Sequence, residues 1–403
     1  MSAKGRNDTL TIAVISDIHA FDTLGPDEKV EPSHLCMRTP ENIVARHPIA
    51  ALKELLSSEK ILSSLLLCPG DFGDKARPAA IAYAWKAVNE IALRLGANSV
   101  LATVGNHDVD SRYNYSDHDP KGFLQGLAPP FPCPDELNNN QFWSRNYTLI
   151  EMPTYRLLIL NSSAFHGGNL DEINRGRISE RTLTAIKQTL QKSNPKPVNI
   201  LLCHHHPHKH SEIQLGEYDE MLGGQLLLML LGCGLYGDWL VLHGHKHHPK
   251  ICYAAGGNAS PVVFSAGSLS AKLYPELATV ARNQFYLIHF PTDQYPTHGF
   301  VGTFDAWDWV SGSGWQRAGQ YGSGLPGRGG FGYRGNLSVL AAEAAAFLNQ
   351  NTMPWSLLVS SLKKLEYLIP SDLEILFNRL RCLHNINVLM SQEGTPEQIG
   401  MSK

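Results

Sequence analysis

Paired CxxC thiols, unbroken membrane-length apolar runs and a surplus of charge are all missing from these 403 residues. The seven cysteines include no CxxC pair and sit mostly in apolar company, as at Leu67-Cys68 and Leu202-Cys203. That pattern excludes a disulfide framework and implies reduced core thiols in a cytoplasmic protein. The longest apolar run, 225–242, is interrupted by Gly232, Gly234, Gly237 and Asp238. It suits a buried helix, a turn and a strand, not a membrane span. The start, Met1 to Leu10, is polar and lacks the apolar stretch of a secretory signal. Lys plus Arg total 34 against 37 Asp plus Glu, a net charge of −3. No general attraction to nucleic acid or to an anionic membrane follows from such a balance.

What the chain does have is a repeated arrangement: short apolar runs that each empty into metal-capable polar residues. Leu10 to Ile15 reads as a buried strand followed by Asp17 and His19. Ile61 to Cys68 leads into Pro69-Gly70-Asp71-Phe72-Gly73-Asp74, where Asp71 has two oxygens with which to bridge ions. Ser99 to Val104 ends in Gly105-Asn106-His107-Asp108. Val198 to Cys203 ends in His204-His205-His206-Pro207-His208-Lys209-His210, with at least one ligand expected and the outer His208 and His210 facing solvent or substrate. Trp239 to His243 ends in Gly244-His245-Lys246-His247, two imidazoles at alternate positions. On an extended segment such residues point the same way. Strand ends of an open α/β sheet are where ligands collect. Taken singly, Asp17 is equally readable as a loop or helix cap. Five such ends together define a site for metals with imidazole and carboxylate ligands, which suits Mn, Fe or Zn, and the lack of thiolates argues against structural zinc.

Between these strands the apolar spacing predicts helices over Pro48 to Lys60, Pro78 to Leu95, Ser179 to Lys192 and Gln225 to Leu231. Residues 109–145, rich in Tyr, Asp, Pro and Asn, read as a long functional loop or lid. Tyr147 to Ile150 and Tyr155 to Leu160 read as a hairpin. Beyond residue 300, Phe304, Trp307, Trp309 and Trp315 flank Ser311-Gly312-Ser313-Gly314, as in an aromatic hairpin. A glycine-rich stretch, Gly322 to Gly335, follows and reads as a loop or linker. Three helical segments are then expected from Leu337 to about Leu389. The leucine stripes on them suit packing or, more sharply, a homo-oligomeric or protein-partner interface in 336–403.

The sequence resembles the calcineurin-like metallophosphoesterases, whose five motifs stand here as DIH (Asp17 to His19), GDFGD (Gly70 to Asp74), GNHD (Gly105 to Asp108), CHHHP (Cys203 to Pro207) and GHKH (Gly244 to His247). The resemblance covers about residues 10 to 290 and implies a four-layer α/β/β/α sandwich over 1–300, followed by the 301–335 hairpin and linker and a helical extension over 336–403. It also implies that Asp17, His19 and His247 hold one metal while Asn106, His204 and His245 hold the other, with Asp71 bridging. His205 is the alternative to His204. His107 becomes the expected proton donor to the leaving oxygen, oriented by Asp108. The implied chemistry is in-line attack on a phosphate ester by a water that two metals share and activate.

Among esters, GDFGDKA departs from the GDxVDRG motif of protein serine/threonine phosphatases, and the second motif lacks the tyrosine of purple acid phosphatases. The run from Leu160 through Gly176, Ile178 and Ser179 is similar to class III cyclic-nucleotide phosphodiesterases, although Asn161 stands where aspartate is frequent. The GDFGDKARP stretch also resembles SbcD-type nucleases. A small nucleotide-type phosphodiester is therefore the favoured substrate, ahead of DNA; a phosphomonoester and a metal-free scaffold are the remaining alternatives.

Overall fold

A computed structural model describes residues 9–25, 28–168, 172–173, 175–208, 220–319, 324–391 and 394–402. Strands are numbered in chain order. The first nine are β1 (Thr9–Val14), β2 (Leu65–Cys68), β3 (Val100–Ala102), β4 (Tyr147–Glu151), β5 (Tyr155–Leu160), β6 (Val198–Leu202), β7 (Trp239–His243), β8 (Lys250–Tyr253) and β9 (Val262–Ser265). The rest are β10 (Gln284–Pro291), β11 (Gly302–Val310), β12 (Gly314–Arg317), β13 (Arg328–Phe331), β14 (Met353–Pro354), β15 (Ile386–Met390) and β16 (Pro396–Met401).

Two sheets face each other. One runs β12-β11-β10-β1-β2-β3 with β13 also paired to β11, and the other runs β4-β5-β6-β7-β9-β8. Alternation along the second sheet explains the layering. Leu157, Ile159, Ile200, Leu202, Leu240 and Leu242 join the core shared with the first sheet. Their neighbours Leu158, Leu160, Leu201 and Val241 pack outward against Ile186, Leu190, Leu227 and Leu231. Those four come from the helices Glu180–Lys192 and Gly224–Leu231. Side chains of successive strand residues point to opposite faces, so a strand covered on both sides must be apolar throughout.

On the first sheet's side, the helix Pro78–Leu95 buries Ile81, Trp85, Val88, Ile91 and Leu95, the stripe expected from sequence. Helix Pro48–Ser58 is fixed at its start by Pro48 and by the His47 ring, which accepts from the Ala50 amide at 3.1 Å. The expected α/β/β/α sandwich is thus the observed one.

Three expectations change. Residues 109–145 are not one lid. Phe131 is buried against Trp85 and Phe72, and Glu136–Arg145 is a helix whose N-cap, Asp135, accepts from the Asn138 amide at 2.8 Å. The glycine-rich stretch is not only linker: it contains β13, a strand paired with β11 in the first sheet. Residues 322–323 of that stretch lie outside the described residues. The carboxyl-terminal extension has the expected helices, Leu337–Leu348, Trp355–Ser361 and Pro370–His384, but it also carries the sheet β14-β16-β15. Leu340, Leu358, Leu376, Leu380, Ile386 and Ile399 form its own core. Tyr253 anchors it to the sandwich by donating to the Tyr333 carbonyl at 3.1 Å and accepting from the Gly332 amide at 3.0 Å.

One buried carboxyl makes stability depend on pH. Burial pushes Asp308 up to about 6, against the opposing hydrogen bond from Gln284 at 2.6 Å. A carboxyl whose folded pKa exceeds its unfolded value of 3.8 favours folding most below that value, and the contribution is lost as pH rises through about 6. The urea midpoint of Asp308→Asn should therefore gain on wild type between about pH 4 and pH 7. A difference that stays flat across that window would contradict the shift.

Candidate metal centre

Strands β1, β2 and β3 run parallel in one sheet, as do β6 and β7 in the other. Their carboxyl ends meet along one edge of the sandwich. Backbone bonds stitch the loops that leave them: the Asp17 amide donates to the Gly70 carbonyl at 3.0 Å, His19 to Asp71 at 3.0 Å, and Gly244 to His204 at 3.1 Å. The sheets are joined by the His245 amide, which donates to Asp17 Oδ1 at 3.0 Å. Ser268 Oγ donates to the Asp17 carbonyl at 2.6 Å, a support that sequence reading did not single out.

This packing imposes unusual backbone. Asp17, His19, Asp71, His245 and His247 all have positive φ, between 49° and 77°. For residues with a Cβ this left-handed region is costly and is held only by surroundings that over-determine it. The loop after β7 is therefore not extended, and the alternate spacing of His245 and His247 does not align their rings. Glycine is required beside the carboxylates: a Cβ on Gly105 would collide with Asp71 Oδ1, and one on Gly244 with Asp17 Oδ2.

The structure brings all seven candidate ligands together in two sets that share Asp71. In the first, His19 Nε2 lies 3.0 Å from His247 Nε2 and 3.5 Å from Asp71 Oδ2, while His247 Nε2 is 3.4 Å from Asp17 Oδ1. In the second, His204 Nε2 lies 3.0 Å from Asn106 Oδ1 and 3.3 Å from Asp71 Oδ2, and His245 Nδ1 is 3.0 Å from the same Asn106 oxygen. His204 Nδ1 is 3.0 Å from the Pro69 carbonyl, the bond that fixes Nε2 as the atom facing the site. His205 Nδ1 is 2.9 Å from Ser162 Oγ. His205 also forms, with His204 and His245, a further group of ligand atoms within 4.8 Å. Of the outer histidines, His208 is part-buried beside Cys252, and His210 lies outside the described residues.

These residues fit metal ions. Imidazole nitrogens and carboxylate oxygens converge within 4.8 Å in the groups Asp17-His19-His247 and Asp17-Asp71-His204. Burial drives His19 down to about 3, so its ring is neutral and holds a lone pair. Burial alone would raise the Asp71 pKa, but the His204 and His107 charges outweigh it and hold the carboxylate ionised. His204 shows the reverse balance: burial lowers it, and Asp71 lifts it to about 9. A buried carboxylate that strongly attracts positive charge sits where the two donor sets meet. Two metals bound there would supply a water nucleophile at neutral pH and polarise phosphoryl oxygens.

His107 lies between this centre and solvent, its side chain about one-third exposed. Its expected partner is corrected. The Asp108 carboxylate accepts from the amides of Asp71 at 2.8 Å, Phe72 at 2.7 Å and Gly105 at 2.9 Å, so it ties the second and third motif loops together. The carboxylate beside the ring is Asp74, whose Oδ1 is 3.3 Å from His107 Nδ1. Burial opposes protonation of His107, but Asp71 and Asp74 raise its pKa overall. With Nδ1 directed at Asp74, Nε2 is left for a leaving oxygen. The last aspartate of GDFGD was the signal in the sequence.

Fold and donor sets together define a binuclear metal-dependent hydrolase. The calcineurin-like phosphoesterase pattern matches residues 10–249, and the chain belongs to that family. It is a metal-dependent hydrolase of phosphate esters. A second pattern, described as wHTH-Calcineurin_assc, matches residues 329–381, a span that holds the helices Leu337–Leu348 and Trp355–Ser361 and most of Pro370–His384. No curated protein sequence matches the chain. Among solved structures it is similar to a dimetal phosphatase from Danio rerio, at 14% identity and a TM-score of 0.49, covering 75% of this chain and 97% of that one. It is also similar to the purple acid phosphatase PPD1 from yellow lupin seeds, at 14% identity and a TM-score of 0.44, covering 77% and 53%. A third is the NAD nucleotidase of Haemophilus influenzae, at 14% identity and a TM-score of 0.35, covering 76% and 53%. No helix among the described residues is long and apolar enough to cross a membrane.

Proposed function

We propose that the chain hydrolyses phosphodiesters of small nucleotide type, using manganese, iron or zinc. The observation that carries this reading is the composition of the cavity over the two donor sets. That cavity, about 360 Å³, is lined by five of the candidate ligands, His19, Asp71, Asn106, His245 and His247, with His107, Lys246, Tyr274 and Leu277. Lys246 is its one permanently charged cation among the described residues. A phosphomonoester brings close to two negative charges at neutral pH, a diester only one. A single lysine beside two metals matches the smaller charge, and the exposed Tyr274 with the apolar Leu277 offers surface to a second ester substituent.

In this reading the chain's own groups have separate tasks. Asp17, Asp71, Asn106 and the imidazoles of His19, His204, His245 and His247 would hold the metals, and His107 would hand a proton to the departing oxygen. Asp74 keeps the His107 ring turned and favours its charged form.

The test is a panel of substrates with manganese added: bis(p-nitrophenyl) phosphate, cyclic nucleotides, p-nitrophenyl phosphate and single-stranded DNA. Diesters are expected to be cleaved with kcat/KM at least ~10-fold above the monoester, a difference of ~1.4 kcal/mol in transition-state binding. Activity on the monoester alone would overturn the reading. Preference for DNA with steep loss of binding in salt would mark a nuclease instead.

A further inference from the structure

Next to the metal cavity, and sharing Asn106 and His107 with it, lies a second cavity of about 140 Å³. Its walls include Lys75, Asp110, Arg112, Asn114 and Ile173. The volume is below the ~300 Å³ at which ordinary ligand pockets begin, so it suits one small group of a larger molecule. His107 stands at the junction, and a proton donor faces the leaving side of the reaction. The smaller cavity is thus where the leaving group goes.

Its lining carries two cations, Lys75 and Arg112, against one acid, Asp110. Asp110 is the acid among the wall residues, and both its oxygens are occupied by backbone: Oδ1 accepts from Asn114 at 2.8 Å, and Oδ2 accepts from Tyr115 at 2.7 Å and Ser116 at 2.9 Å. Lys75 pairs with Glu28, and Arg77 shares that carboxylate. Arg112 is exposed and makes no ion pair with any described carboxylate. The loop that carries it is held in place. Besides the three bonds to Asp110, the Asp110 amide donates to the Pro120 carbonyl at 3.0 Å, and the Tyr113 hydroxyl donates to the Gly167 carbonyl. The backbone under Arg112 is thus fixed, so binding there would order the side chain alone.

We propose that this cavity is a leaving-group subsite in which Arg112 binds a second anionic oxyacid group, a phosphate or a carboxylate, on the substrate. The inference rests on the phosphodiesterase reading and deepens it: the preferred ester is one whose leaving group is itself charged. Arg112 is a binding residue for that group, and a planar guanidinium suits the fork of oxygens on either acid.

The experiment uses the full chain loaded with manganese, as wild type, R112A and R112K. kcat/KM is measured for diadenosine 5′,5′-diphosphate, which places a phosphate beside the scissile bond, and for glycerophosphoserine, which places a carboxylate there. Each is divided by the value for bis(p-nitrophenyl) phosphate. At least one ratio is expected to fall ~10- to 100-fold in R112A, the range for hydrogen bonds to a charged group, chiefly through KM. R112K should recover part of it. Loss in the diphosphate arm assigns the subsite to phosphate and loss in the serine arm to carboxylate; unchanged ratios in both arms overturn it, as a solvated surface arginine requires. Should wild type cleave none of the three, the diesterase reading fails by itself. Calorimetric titration with methylenediphosphonate then judges the subsite: ~10-fold weaker binding to R112A supports it, and equal affinity overturns it.

Discussion

Asp71→Ala is expected to reduce kcat by ~10³-fold or more and to leave fewer than two metal ions per chain. Asp71 lies against both donor sets, with Oδ2 3.5 Å from His19 Nε2 and 3.3 Å from His204 Nε2. Its carboxylate is 1% exposed, so no solvent ion replaces it when it is removed. Without it, His19 and His204 lose the carboxylate that lies between them, and Asp17 alone is left to offset the cluster's positive charge. Metal polarisation is worth several kcal/mol of transition-state stabilisation, and ~4 kcal/mol corresponds to ~10³ in rate. Rate and metal content should fall together, checked by steady-state kinetics and by elemental analysis of the same dialysed sample. Full occupancy with full activity would remove Asp71 from the centre.

His107→Asn should cost ~10²- to 10⁴-fold in kcat for esters with poor leaving groups, the usual worth of general acid catalysis. With p-nitrophenolate leaving, which departs without a proton, the loss should be much smaller. A plot of log kcat against leaving-group pKa should therefore be steeper for the variant. Asp74→Asn is expected to fall between wild type and His107→Asn, because it removes the carboxylate 3.3 Å from Nδ1 but leaves the ring in place. Equal losses for all leaving groups would assign His107 to binding instead of proton transfer. Asp108 offers the contrast. Its carboxylate holds four loop amides, so its replacement should lower the melting temperature as well as the rate.

The site was legible in the sequence because each ligand sits where an apolar strand stops. Five such junctions, near Asp17, Asp71, Asn106, His204 and His245, show in the sequence as apolar runs that end in polar motifs, the family resemblance names the ligand at each, and parallel pairing then brings strand ends together. What could not be read was the conformation of the loops. The positive φ of His245 and His247 is set by contact with Asp17 across two sheets, and no local pattern announces it. The same holds for Asp108 and Asp74, which lie in adjacent motifs and exchange roles only once β2 and β3 are paired.

Misread segments have physical causes too. Helix Glu136–Arg145 contains Asn138, Asn139 and Asn140, poor helix formers, and depends on the Asp135 cap and on burial of Phe142. Strand β13 reads Arg-Gly-Gly-Phe, with no β propensity of its own. Its ladder to β11 holds it, and Gly329 lets its backbone lie against the Phe304 ring. β16, Pro396–Met401, is polar and short, and pairs because Ile399 enters the extension's core.

Anomalous diffraction from crystals of the wild-type chain grown with manganese tests the central claim most directly. Two peaks are expected, ~3.5 to 4 Å apart, one against Asp17, His19 and His247, the other against Asn106, His204 and His245, with Asp71 touching both. A single peak, or a second ion held by His205 and away from Asp71, would contradict a binuclear centre bridged by that carboxylate.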